Sequence, residues 1–134
     1  MSVDWPYGIS HDHAIPVYEQ IENHVRFAVA SGRLKEGDSL PSVRALAQQL
    51  AINQNTVTKA YRDLELLSIV KTRRGVGITV APAAKAACAE QTRNMALAHL
   101  ADALGECMAS GVTDAAIRKA VESSLKARKL PYTD

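Results

Sequence analysis

No apolar run in this 134-residue chain is long enough to span a bilayer, and no basic segment followed by an apolar stretch opens it. A cytoplasmic protein without a membrane partner is expected. Cysteine is nearly absent too. Cys88 and Cys107 are 19 positions apart in what reads as one helix, so roughly 28 Å of helical rise separates them and they cannot pair. His11 and His13 have no carboxylate or thiol at ligand spacing nearby, which excludes a metal site of recognisable type. His24 and His99 lack a cysteine, serine or acid placed by any motif and read as surface or boundary residues. Met95, Cys107 and Met108 read as core or interface. With no catalytic constellation, repeat or low-complexity tract, neither an enzyme nor a cofactor is expected. Excess charge is small as well, +2 over the chain, which excludes a nucleic-acid binder that is polybasic as a whole.

What is present lies mainly between Leu40 and Pro82. Ser42 follows Pro41 as an N-cap residue, and Val43, Leu46, Ala47 and Leu50 then recur at helical spacing, with Arg44 off that face. Ala51, Ile52 and Asn53 break the pattern. A second apolar stripe follows in Val57, Ala60, Tyr61, Leu64 and Leu67. Its opposite face carries Asn55, Thr58, Lys59 and Arg62, an amide, a hydroxyl and two cations that suit a DNA major groove. Asn53 is placed to cap this helix, leaving its first N–H groups for a phosphate. Small or apolar residues, Ala47, Ala51, Val57 and Ala60, stand where two helices of a helix-turn-helix must approach. Ile69 to Arg73 then alternates as a short strand, Arg74 to Gly77 forms a turn, and Ile78 to Val80 returns before Pro82. Between Ser42 and Gly75 six Lys/Arg face two Asp/Glu, a local balance of +4.

These residues carry a resemblance. Gly37-x-x-Leu40-Pro41-Ser42-x-Arg44-x-Leu46-Ala47, Asn55-Thr56-Val57, Tyr61-x-x-Leu64-Glu65 and Thr72-Arg73-Arg74-Gly75-x-Gly77, in this order and spacing, resemble a GntR-type winged helix-turn-helix regulator over residues 14 to 82. The resemblance implies DNA contact by Arg44, Gln54, Asn55, Thr56, Thr58, Arg74 and Gly75, and the capping Ser42 and the wing's Gly77 are counted with them as candidate DNA-binding residues. Lys59, Arg62 and Arg73 join that set on charge and helical face alone. Ala45, Ala51 and Ser68 depart from the family pattern, which has Glu at the first and Gly at the other two. Ser42 therefore lacks the reciprocal partner of a capping box, and a left-handed backbone at Ala51 or Ser68 would cost on the order of 1 kcal/mol.

The fold expected is mainly α with a small β wing: a flexible or loosely docked arm over 1–13, the winged helix-turn-helix domain over 14–82, a helical dimerisation tail over 83–130, and a C-terminal tail over 131–134. Pro16 begins a scaffold helix through Val17, Ile21, Val25, Ala28 and Val29, and Gly32 ends it. Beyond Ala83 a helix carries Leu97, Leu100, Ala101, Leu104 and Met108 on one side up to Gly111, and Thr113 or Asp114 caps a last helix with Ile117, Ala120, Val121 and Leu125. About fifty residues after Pro82 are too few for a metabolite-binding domain, so the chain is similar to the short YtrA-type branch. A homodimeric regulator, in the resemblance a repressor, bound to double-stranded operator DNA at an inverted repeat is the expected function. Two alternatives stay open at this point: a small-molecule effector, of unknown identity, held at the dimer interface, and a winged-helix protein-interaction module without DNA specificity.

Overall fold

The computed structural model describes residues 5–132 and contains five helices and a two-stranded antiparallel sheet among them. Helix α1 (Val17–Ser31) starts at Pro16, whose φ of −58° already suits the helix, and ends at Gly32 in the left-handed region at φ 83°. Ile21, Val25 and Val29 on its inner face are completely buried. Each contributes roughly 1.5 to 3 kcal/mol of hydrophobic stabilisation at most. Gln20, also buried, clamps the approach to the helix: its amide donates to the carbonyls of Ser10 and Ile15 and accepts from the Ser10 N–H.

Helix α2 (Val43–Leu50) is capped by the Ser42 hydroxyl, which accepts the Ala45 N–H at 3.1 Å without a reciprocal bond. Ala51 ends it in the left-handed region at φ 53°. Helix α3 (Gln54–Leu66) follows α2 after the three residues Ala51, Ile52 and Asn53 and buries Val57, Ala60, Tyr61 and Leu64. Ser68 behind it is also left-handed, at φ 61°. Both places where the family carries glycine thus adopt the conformation that favours glycine, and the chain tolerates alanine and serine there. Ser68 also accounts for a departure from the expected stripe. The turn it makes brings Ile69 under the helix end, its N–H bonding the Leu64 carbonyl, so Leu67 is left 55% exposed.

Strands β1 (Val70–Arg73) and β2 (Gly77–Val80) pair Val70 with Val80 and Arg73 with Gly77. Gly77, expected in the turn, therefore closes the ladder. The segment before α2 lies along the other edge of β2, with Ser39 bridged to Thr79 and the Leu40 N–H bonded to the Ile78 carbonyl at 2.9 Å. This third, short edge carries no alternating pattern that would have shown it in advance.

Helix α4 (Ala84–Ala109) starts as part of the core, not as a free tail. Ala84 and Cys88 are buried against α1 and join the cluster of Ile21, Val25 and Leu64. Helix α5 (Asp114–Ala127), capped by the Thr113 hydroxyl at 3.2 Å, buries none of its residues.

Of the two readings of the N-terminal arm, flexible or loosely docked, the described residues take the docked one, and more firmly than expected. From Trp5 on it is docked: Tyr7 is 8% exposed and stacks on His24 at 4.7 Å, while His24 Nε2 bonds the Gly8 carbonyl at 2.9 Å. His24 is accordingly a buried residue and not a boundary one, and desolvation lowers its pKa. Residues 1–4 of that arm and 133–134 of the C-terminal tail lie outside the described residues. Tyr132 returns to α1, where its hydroxyl accepts from Asn23 Nδ2 at 2.8 Å.

Candidate nucleic-acid interface

The position of α3 follows from what lies behind it. Val57, Ala60, Tyr61 and Leu64 are buried, and at 3.6 residues per turn this turns Asn55, Thr58, Lys59 and Arg62 outward. Asn53 Oδ1 accepts the Asn55 N–H at 2.8 Å and the Asn53 carbonyl accepts the Thr56 N–H. That cap consumes one orphan donor and leaves the exposed Gln54 and Asn55 side chains free at the positive end of the helix dipole.

Two further hydrogen bonds hold the neighbouring elements against α3. Tyr61, buried, donates its hydroxyl to the Pro41 carbonyl at 2.7 Å, which fixes the turn carrying Ser42 and Arg44 beside the helix. Burial pushes the phenol pKa upward, so it stays a donor. At the other end Glu65 Oε2 accepts from the Thr72 hydroxyl at 2.7 Å, tying the base of the wing to the last turn of α3. Sequence patterning located Tyr61, Glu65 and Thr72 without indicating these bonds, since each partner is set by the tertiary fold.

The wing tip and the start of α2 share one shallow groove of about 340 Å³, lined by Ser39, Ser42, Gly75, Val76 and Ile78. Gly75 and Gly77 both have positive φ, 81° and 102°, and a side chain at either would meet nothing within 4 Å. Backbone conformation, not crowding within the subunit, is what requires glycine there. Arg73 and Arg74 are exposed on this hairpin. Among the described residues neither they nor Arg44 and Arg62 form an ion pair. Lys59 differs from them: its ammonium sits 4.6 Å above the Tyr18 ring of α1 and 3.5 Å from Asp63 Oδ2. It lies at the flank of the surface that holds the other cations.

On α4 the apolar residues Leu97, Leu100 and Met108 are 52%, 50% and 62% exposed, with Ala101 exposed beside them and Leu104 half-buried. No three His, Cys, Asp or Glu side chains converge among the described residues, and no helix is long and apolar enough to cross a membrane.

The family model for bacterial regulatory proteins of the gntR family matches residues 17–80, the stretch from α1 to the end of the wing. The HTH-type transcriptional repressor YtrA of Bacillus subtilis is 38% identical over 97 residues, 72% of this chain and 75% of that protein. The chain belongs to the GntR family. Its members among these relatives are transcriptional regulators, and the likeness is to the YtrA type. Among solved structures, a transcriptional regulator from Oenococcus oeni shares 35% identity with this GntR-family chain at a TM-score of 0.61, over 87% of this chain and 97% of that one. YtrA from Sulfolobus acidocaldarius, a GntR-family transcription factor, shares 33% at 0.53 over 72% and 95%. These matches extend past the wing into the C-terminal helices, so the short helical tail is part of what is shared.

Proposed function

We propose that this GntR-family chain is a sequence-specific DNA-binding transcriptional regulator, acting as a repressor in the cytoplasm, and that it binds an inverted-repeat operator as a homodimer. The observation that supports the reading is that the wing tip shares a groove with Ser42 at the start of α2, while the Tyr61 and Glu65 hydrogen bonds hold Pro41 and the wing against α3, whose N-terminus is capped by Asn53. Helix α3 reads the major groove through Asn55, with Gln54, Thr56, Thr58 and Arg62 beside it; Ser42 and Arg44 approach the flanking backbone; the wing contacts phosphate or the adjacent minor groove with Gly75 and Gly77 giving its tip room. Lys59, engaged with Asp63 and Tyr18, contributes field at the flank. The name of the Bacillus relative, a repressor, supports the sign of regulation.

Selection of bound duplexes from a random pool tests the reading. An inverted repeat with half-sites about one helical turn apart is expected; recovery of no common sequence would leave a protein-interaction module as the better account.

Asn55→Ala is expected to relax specificity at one position of each half-site, at a cost of roughly 1 to 3 kcal/mol. An amide at the start of the helix suits the bidentate edge of adenine, so the relaxed position should be an A·T pair. A binding motif unchanged in Asn55→Ala rules out this contact.

Removing both wing charges, with Arg73→Ala and Arg74→Ala together, acts differently. Phosphate neutralisation carries no sequence information, so specific and nonspecific affinity should fall together and the salt slope should flatten by up to about two units. Titrations at several salt concentrations check this; an unaltered slope means that the wing stays off the DNA.

A further inference from the structure

Where α1 meets α4, two cavities flank Arg26, one of about 290 Å³ beside Asn23, Phe27, Met95 and Tyr132, the other of about 250 Å³ beside Leu67, Cys88 and Gln91. The Arg26 guanidinium has five donors, and one of them reaches Asn23 Oδ1 at 3.2 Å. Its nearest carboxylate oxygen, on Glu22, stands at 3.9 Å, beyond hydrogen-bond distance, and the Arg26 side chain keeps 25% of its surface open. Glu22 is a weak counter-ion for a second reason. Burial and the neighbouring Asp63 raise its pKa to about 7, so near neutrality much of its charge is missing. A cation in a partly enclosed site is thus left with donors to spare.

The rest of the larger cavity specifies what would answer that cation. The Phe27 and Tyr132 rings and the Met95 thioether form its body, and Thr92 and His99 add polar groups from α4. A thioether beside aromatic walls favours a ring, and 290 Å³ is at the lower end of ligand-site volumes, which suits a molecule with one ring. We infer that this cavity is a binding site for a small aromatic carboxylate, with Arg26 as its counter-ion and Phe27, Met95 and Tyr132 around its ring. The site is compatible with the dimer proposed above. Thr92, Met95, Ala96 and His99 recur along one face of α4, whereas Leu97, Leu100, Leu104 and Met108 recur along another, more than a quarter-turn away at 100° per residue.

Occupancy has a route to α3. Asn23, Arg26 and Glu22 follow one another along α1, Asp63 of α3 approaches Glu22, and Asp63 pairs with Lys59 at 3.5 Å. A carboxylate that draws Arg26 toward the cavity removes the one cation beside Glu22, leaves Glu22 to share its proton with Asp63, and so alters the charge beside Lys59 on α3.

Benzoate and its neutral analogue benzamide, titrated into the full chain and followed in ¹H–¹⁵N spectra, test the site without DNA, so failure here leaves the regulator reading untouched. Benzoate is expected to shift the Phe27 and Thr92 amides saturably, at least tenfold more tightly than benzamide, and to shift Asp63 with the same midpoint. Arg26→Gln should lose that tenfold preference. Thr92→Trp, which fills the cavity from α4 and leaves Arg26 in place, should abolish binding, and it keeps the test decisive if the arginine variant does not fold. Equal affinity for benzamide, or benzoate binding that survives Thr92→Trp, overturns the site. Shifts at Phe27 and Thr92 with Asp63 unmoved overturn the link to α3.

Discussion

Leu100→Asp combined with Leu104→Asp is expected to convert the protein into a folded monomer and to lower its affinity for an inverted repeat by roughly 10²- to 10⁴-fold, the range lost when two linked sites become one. Within the described single subunit the tail leaves its apolar side chains uncovered. Helix α4 packs on α1 through its first turns, where Ala84 and Cys88 are buried, but Leu97 and Leu100 further along are half exposed. Helix α5 buries nothing, with Val121 at 38% and Leu125 at 58% exposure. Covering each such side chain is worth roughly 1.5 to 3 kcal/mol at most, and several from each of two subunits offset an association cost of about 4 to 15 kcal/mol. Two aspartates in the middle of that face would have to be desolvated without partners. Sedimentation reads the monomer and fluorescence anisotropy on the selected operator reads the affinity. An intact dimer with unchanged affinity would move the interface off the α4 stripe.

Which features were legible beforehand depended on how local their causes are. The ends of α1, α2, α3 and α5 follow from Gly32, Ser42, Asn53 and Thr113, each acting within three residues of itself. The α3 face follows from a 3.6-residue period, and the hairpin from alternation around a glycine-containing turn. Features set by distant partners were not legible. Trp5 and Tyr7 belong to no periodic pattern, yet Tyr7 stacks on a histidine 17 positions on and the Trp5 ring packs edge-on against both. His24 looked like a boundary residue because its hydrogen-bond partner is a backbone carbonyl in that same unpatterned segment. In the candidate site, the outward set on α3 and the i,i+4 spacing of Lys59 and Asp63 could be drawn from the sequence alone, but the engagement of Lys59 by the Tyr18 ring of α1 could not. Helical period places a side chain on a face; it does not tell which neighbour across the interface it meets.

Glu22→Gln is expected to stabilise the protein above neutral pH and to flatten its stability across the acid range. Glu22 is 5% exposed, its Oε2 has no donor among the described residues, and its environment raises its pKa from 4.5 to about 7. Burial is the larger cause; the hydrogen bond and charge of Asp63 add to it, while Arg26 opposes it. For an acid whose pKa is raised by folding, the folded state holds a proton that the unfolded chain has released throughout the window between the two values. Stability therefore declines as pH rises from about 4.5 to about 7 and levels off above, the reverse of the usual carboxylate behaviour. At about 1.36 kcal/mol per unit the whole effect is on the order of 3 kcal/mol. Glutamine cannot ionise, and its amide offers Asp63 a donor at all pH values. Urea melts of both proteins should converge near pH 4.5, separate progressively up to about pH 7 and keep that separation above it, with Glu22→Gln the more stable. Parallel curves across that range would mean that Glu22 ionises in the folded protein as readily as in water, and that the proton placed between α1 and α3 is not there.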